Sequence, residues 1–345
     1  MRIAIISPVW FPVPPTGYGG IEWVVSLLAD GLAEAGHDVT LFASGDSTSK
    51  AKVAAVYPEA PSSDIGKTAP ELRHALACYE RVGEFDIVND HSGPLAAALG
   101  GAVETPVVHT VHGPLVGADG ELYASIARVA PGVGLISVSL SQRKPQPGLP
   151  WVANCHNALD LDAYPVHTER GEYLLFLGRM SPGKGCHRAV EVAREAGLPL
   201  KMAGKMREPA ERDYFEEHIA PHLGNGIEYL GETSHAKKVA LLQNARATLF
   251  PIEWEEPFGL VMIESMACGT PVLATRWGAV PEVIEHGRSG IVVDDYREMA
   301  GALAEADRLE PLECRRSVEE SFSAERMVAE YLAAYEAVLA GTPLA

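Results

Sequence analysis

Two carboxylates, Glu256 and Glu264, bracket a stretch that is otherwise almost wholly apolar: Pro257-Phe258-Gly259-Leu260-Val261-Met262-Ile263. From Phe258 to Ala267 apolar side chains fall on nearly every face, which predicts a buried helix. Gly269 and Pro271 stop it. Glu264 is therefore expected inside that helix, where an ionised carboxylate is costly without partners. Glu256 falls in the preceding loop, at the end a ligand would approach. A vicinal diol suits such a carboxylate, because two hydroxyls can donate to its two oxygens. A buried Arg or Lys of the core would offset Glu264 as well, and spacing alone leaves both partners open.

A second constellation is cationic. Gly178-Arg179-Met180-Ser181-Pro182-Gly183-Lys184-Gly185 follows a predicted strand, Tyr173 to Leu177, and precedes a helix beginning near Cys186. Strand end, Gly-rich loop, helix N-terminus, an Arg fork and a Lys point charge together favour a phosphate group. The alternative is two solvated surface cations. In the first half, Thr16-Gly17-Tyr18-Gly19-Gly20 closes a Pro-rich loop just before an amphipathic helix, Ile21 to Ala35. Backbone N–H groups and the helix dipole favour an anion there. Neither the G-x-G-x-x-G pattern nor a Walker lysine is present, so dinucleotide and P-loop binding are poorly supported. Asp90, His91 and His112 each close a predicted strand, where polar caps and ligand groups are both found. His109 lies mid-strand and reads as a satisfied core histidine. Asp160-Leu161-Asp162 has no third acidic ligand near it and reads as solvated acid.

These groups need a scaffold, and 345 residues suit two domains better than one core. Predicted strands alternate with helices in both halves, which implies parallel sheets. The first half has strands at Arg2–Ser7, Val39–Ala43, Phe85–Asn89, Pro106–Val111 and Gly134–Val138, with Asp46 to Gly66 read as loop. The second has them at Tyr173–Leu177, Leu200–Ala203, Ile227–Leu230, Ala247–Phe250, Val272–Ala274 and Ile291–Val293. The expected organisation is an α/β fold of two Rossmann-like domains facing a cleft: 1–156, 171–322, and a closing helix, 323–345, with a packing stripe of Met327, Tyr331, Leu332, Tyr335 and Val338. Net charge of −18 argues against DNA or another polyanion and against a broadly basic membrane face. Five scattered cysteines without a C-x-x-C pair suggest neither a zinc site nor a disulfide framework, and reduced cytoplasmic thiols are expected. No apolar run is long enough to span a bilayer, so stable membrane insertion is not expected. Oligomeric state is not legible.

Taken together, these residues resemble the retaining glycosyltransferases of family four, which have the GT-B fold, and the resemblance covers essentially the whole chain. It is carried by Gly19-Gly20-Ile21-Glu22 with Gly36-His37-Asp38-Val39, by Asp86-Ile87-Val88-Asn89-Asp90-His91, and by Val108-His109-Thr110-Val111-His112-Gly113. Gly178-Arg179 with Lys184-Gly185 matches the family's phosphate loop, and Glu256-x-Phe258-Gly259 with Glu264 its E-x7-E motif. Asn157-Ala158 stands where many members have Asn-Gly.

The resemblance implies a hexosyltransferase-type enzyme using a nucleotide-sugar donor, UDP by family precedent, held mainly by the second domain. Glu264 would take the ribose hydroxyls, and Glu256, with Phe258 and Gly259, would border the sugar. Arg179 and Lys184 would hold the diphosphate, with Gly19 and Gly20 approaching it. His112 would lie near the sugar, with Asp90, His91 and Tyr18 on the acceptor side. The two cations and helix N-termini can stabilise the leaving diphosphate, so no metal or other cofactor is expected. No carboxylate pair is left to flank the anomeric carbon as in a glycosidase. Front-face attack, with the departing phosphate oxygen taking the acceptor's proton, is the mechanism favoured. The acceptor is expected to be soluble, for want of a basic amphipathic docking helix. Rival readings are a sugar-nucleotide epimerase of similar fold and a non-catalytic sugar-nucleotide-binding protein.

Overall fold

Short runs rich in Val, Ile and Leu form two separate parallel sheets, each covered by helices, as expected of strands apolar on both faces. The structure is a computed structural model and describes residues 1–17 and 19–341; the candidate Tyr18 lies outside the described residues. Two compact units are present: Met1–Ala158 with the chain from Ala324 onward, and Leu159–Ser323.

The first unit holds β1 (Arg2–Ile6), β2 (Asp38–Phe42), β3 (Lys52–Ala54), β4 (Ile87–Asp90), β5 (Val107–Val111), β6 (Val133–Ser137) and β7 (Trp151–Asn154). All pair in parallel, in the order β3-β2-β1-β4-β5-β6-β7. The order reverses beside β1, so the loops after β1 and β4 leave the sheet on either side of one crevice. Helix Gly20–Glu34 follows β1 and buries Val24, Val25, Leu28, Ala29 and Leu32. Each large apolar side chain so buried contributes roughly 1.5–3 kcal/mol.

Helix Ala324–Leu339 belongs to this unit. It lies close to helix Gly20–Glu34, where a Cβ on Gly31 would stand 2.5 Å from Val328 Cγ2. Its Tyr331 and Tyr335 are fully buried. The Tyr335 hydroxyl accepts a hydrogen bond from Asn89 Nδ2 (2.6 Å), and that of Tyr331 donates to Thr110 Oγ1 (3.3 Å). The apolar stripe is thus packing, with two phenols anchored on β4 and β5.

Two edge strands depart from the sequence reading. Within Asp46–Gly66, expected to be loop, Lys52–Ala54 adds to β2 and is held by a Lys52–Asp38 ion pair of 2.6 Å. At the other edge Trp151–Asn154, not expected as a strand, pairs with β6. Trp151 is buried beneath the Arg143 guanidinium, 5.3 Å from its ring centroid.

The second unit holds β8 (Tyr173–Leu177), β9 (Leu200–Ala203), β10 (Ile227–Tyr229), β11 (Ala245–Phe250), β12 (Val272–Thr275) and β13 (Gly290–Val293), in the order β10-β9-β8-β11-β12-β13. Here the order reverses between β8 and β11, which brings the loops after those two strands together. The segment entering this unit is pinned by Arg315, whose Nη1 donates to the carbonyls of Leu161, Tyr164 and Ala267 at 3.3, 2.5 and 3.1 Å. Asp160 Oδ1 accepts from the Asp162 N–H at 3.1 Å and caps its own short turn, an ordinary structural use of that acidic pair.

Candidate active site

The loop after β8 carries both cations, and its path is fixed by close backbone approach. Gly185 stands at φ +77°, and a Cβ there would meet the Pro251 carbonyl oxygen, just past β11, at 2.2 Å. Across this contact Lys184 Nζ donates to Glu256 Oε2 at 2.5 Å, with the ammonium 4.8 Å from the Trp254 ring centroid. Two candidates predicted separately, 72 residues apart in the sequence, are therefore one ion pair. Arg179 is half-buried, and its side chain makes no hydrogen bond or ion pair among the described residues. Arg188, in the helix that follows, is committed: it donates to the Pro251 carbonyl at 2.9 Å and pairs with Glu253 at 2.6 Å.

Gly259, at φ +83°, caps helix Leu260–Ala267, which is buried as expected. Phe258 does not offer its side chain to a ligand. It is buried in the core, edge-on to Phe322 with centroids 5.7 Å apart, and so anchors the loop that carries Glu256.

Glu264 corrects the premise that ligand hydroxyls must offset its burial. Its Oε1 accepts from Tyr164 Oη (2.8 Å) and from Lys238 Nζ (2.5 Å). Burial and the neighbouring carboxylate push the Tyr164 phenol far above its ordinary value, so it stays a donor. The partner is thus a lysine, one of the two partners that spacing left open. The Lys238 side chain keeps 23% of its surface exposed, so this is a pair at the rim of the unit and not an ammonium of the deep core. Oε2 has no hydrogen-bond partner among the described residues and is not sealed from solvent.

In the first unit, the strand-end groups form a graded cluster. Asp90 is wholly inaccessible. One of its oxygens accepts from the Ser92 N–H (2.8 Å) and Ser92 Oγ (2.6 Å); the other is bonded to His109 Nδ1. His109 Nε2 lies 2.8 Å from Tyr123 Oη, so this mid-strand histidine is a satisfied core group as read. His91 is also buried, with Nδ1 2.9 Å from His112 Nε2. In place of the acceptor contacts expected of them, Asp90 and His91 form the floor beneath His112, which is partly exposed. Burial and the nearby His109 push the His112 imidazole down to about 3, and burial holds His91 well below its ordinary value. Both rings are neutral at physiological pH. At the start of helix Gly20–Glu34, Gly19 has φ +147°, and a Cβ there would stand 2.9 Å from Glu22 Oε2. Glu22 is buried, and that burial raises its carboxyl to about 7.

The Glycosyl transferases group 1 family matches residues 162–318, and Glycosyltransferase Family 4 matches residues 18–131. The phosphatidyl-myo-inositol mannosyltransferase of Mycolicibacterium smegmatis is 30% identical over 340 residues, covering 88% of this chain and 84% of that protein. The chain belongs to glycosyltransferase family four. The glycogen synthase of Mycobacterium tuberculosis is 26% identical over 358 residues, again covering 88% and 84%. Among solved structures, AviGT4, a glycosyltransferase involved in avilamycin A biosynthesis, is 26% identical, with TM-score 0.73 and 99% of each chain covered. Anabaena Alr3699/HepE in complex with UDP-glucose shares the fold at 18% identity, with TM-score 0.73 and 96% and 99% coverage. The two parallel-sheet units are thus the Rossmann-like domains of a GT-B glycosyltransferase.

Within this glycosyltransferase, four groups around the predicted sites were not singled out from sequence. Glu22 lies inside a motif already noted, and Trp254 stands two residues before Glu256, close enough in sequence to have been flagged. Tyr164 and Lys238 could not: they stand 100 and 26 residues before Glu264, and only the tertiary fold joins them.

Proposed function

We propose that this glycosyltransferase moves a hexosyl group from a nucleotide-sugar, UDP-linked, to a soluble acceptor with retention of anomeric configuration and without a metal. The observation that carries this reading is the contact of Lys184 with Glu256 at the β8/β11 reversal, where α/β sheets receive their ligands, on the loop that also carries Arg179. Arg179 and Lys184 would bind the diphosphate, and Glu256 the sugar hydroxyls. Glu264 would take the ribose hydroxyls through Oε2, with Tyr164 and Lys238 fixing Oε1. A neutral His112 suits a hydrogen bond to a sugar hydroxyl, since it brings no charge near a cationic anomeric carbon.

In the reaction, the bond between the anomeric carbon and the phosphate oxygen breaks, and the electron pair leaves with the nucleoside diphosphate. Its growing negative charge would be met by the Arg179 guanidinium and by the Lys184 ammonium once it has turned from Glu256, stabilisation of the kind that lowers such barriers. The acceptor hydroxyl attacks from the same face and yields its proton to the departing phosphate oxygen. UDP is favoured because Alr3699/HepE, which shares the fold, was solved with UDP-glucose. A soluble acceptor accords with a net charge of −18, which opposes anionic surfaces. The curated relatives bear names with unlike acceptors, so the acceptor's identity does not carry over. Incubation with UDP-, GDP-, dTDP- and ADP-sugars, with and without a chelator, tests the reading. Release of a nucleoside diphosphate from one of them is expected in both conditions. An altered sugar still attached to its nucleotide would indicate an epimerase, and binding without release an inert module.

A further inference from the structure

We propose that Glu256 makes the site discriminate between the sugar-bearing donor and the sugar-free nucleoside diphosphate, by holding Lys184 in an ion pair that only the donor can replace. The inference rests on the proposed assignment of Lys184 to the diphosphate. Its starting point is that the two cations of one loop stand in different states. Arg179 has no partner among the described residues, whereas Lys184 is already bonded to Glu256 at 2.5 Å. In the resting chain the loop therefore presents one uncommitted positive charge, not two.

The pair is enclosed: the side chains of Lys184 and Glu256 are 20% and 9% exposed. Glu256 has little freedom to follow its partner, because its N–H donates to the Trp254 carbonyl (2.8 Å) and its carbonyl accepts from the Ala279 N–H (3.0 Å). Gly278 packs so closely on this backbone that a Cβ there would stand 2.4 Å from Glu256 N and O. Trp254 walls the ammonium on one side.

A diphosphate that draws Lys184 away leaves behind a buried carboxylate with no counter-charge, now facing added negative charge. That is the costly outcome when one partner of a buried pair is removed. A donor still carrying its sugar brings hydroxyls that can donate to the vacated oxygen, so the carboxylate exchanges one partner for another. The product brings none. Free nucleoside diphosphate is therefore disfavoured by the same residue that favours the donor, and departure of the product is assisted as Lys184 returns to Glu256.

Calorimetric titration of the full chain with UDP, GDP and ADP, and with the corresponding glucose-linked donors, tests this. Glu256→Gln should bind the cognate nucleoside diphosphate about tenfold or more tightly than wild type, the scale of the penalty for an unpaired buried group. It should bind the sugar-linked nucleotide no better. The gain should vanish when Lys184→Ala is added, because the released cation is its source. Glu256→Ser makes the same prediction if the glutamine variant does not fold. Unchanged or weaker diphosphate binding in the folded variant would overturn the inference, showing that Lys184 serves phosphate and Glu256 together. If wild type binds no nucleoside diphosphate at all, the assignment of these residues to a donor falls too. If wild type binds and releases nucleotide from a donor but the variant gains nothing, only the present inference falls.

Discussion

Arg179→Ala removes a guanidinium that holds nothing else in place, so its whole effect should appear in ligand binding. The side chain is half-buried and has no hydrogen bond or ion pair among the described residues. Truncation breaks no internal contact of that kind, and stability should change by no more than about 0.5 kcal/mol. For a unit of this size that is a shift of roughly 1–2 °C in melting temperature. Against a phosphate the same group forms charge-assisted hydrogen bonds worth about 1.5–3 kcal/mol. The dissociation constant for a nucleoside diphosphate should therefore rise roughly 10- to 150-fold. Arg179→Lys keeps the charge but loses the planar fork, and should fall between the two. Arg188→Ala is the control with the opposite signature, because Arg188 is bonded to the Pro251 carbonyl and to Glu253. Isothermal titration of each variant, paired with a thermal melt, reads both quantities. Unchanged affinity in Arg179→Ala, or a melting temperature lowered by many degrees, would refute the reasoning.

Asp90→Ala should act on the fold and not on an acceptor. Losing the buried Asp90–His109 hydrogen bond costs about 1.5–3 kcal/mol, or roughly 3–12 °C in the melting of the first unit, and calorimetry showing little loss would contradict that role. The His91–His112 pair should make the same unit acid-sensitive. Both native values lie below the ordinary 6.5, His112 at about 3, so the unfolded chain takes up protons first as pH falls. Stability is then complete above about pH 6.5 and lost on the way down toward about pH 3, by at most about 1.4 kcal/mol per pH unit per histidine. Melts of wild type and of the His91→Asn, His112→Asn variant over that range should show a shallower slope in the variant; equal slopes would refute it.

Much of this was legible in the chain because it is encoded locally. Runs such as Ile3 to Ile6 and Leu174 to Leu177 are apolar on successive residues, as strands buried on both faces must be, and in the first half the polar residues that close strands mark Asp90, His91 and His112. Edge strands carry a weaker signal: Lys52–Ala54 is mostly solvated, and Trp151–Asn154 is only four residues long and directly follows Pro150. Spacing also could not tell which polar strand ends reach solvent. Asp90 and His91 are turned inward onto His109 and His112, a matter of what lies on neighbouring β5. The pairings that define the second unit's site, Lys184 with Glu256 and Lys238 with Glu264, join elements through the sheet order and leave no periodic trace.

Glu264 decides most directly whether this site is built for a nucleoside. One of its oxygens is already taken by Tyr164 and Lys238, so a ribose must be read by the other. The measurement is the affinity of the full chain for UDP against 2′,3′-dideoxy-UDP, in wild type and in Glu264→Gln. Wild type should prefer the ribose form by about tenfold or more, the scale of hydrogen bonds to a charged group, and the variant should lose most of that preference. Equal binding of the two nucleotides by wild type would contradict it, leaving Glu264 as a structural partner of Lys238 and nothing more.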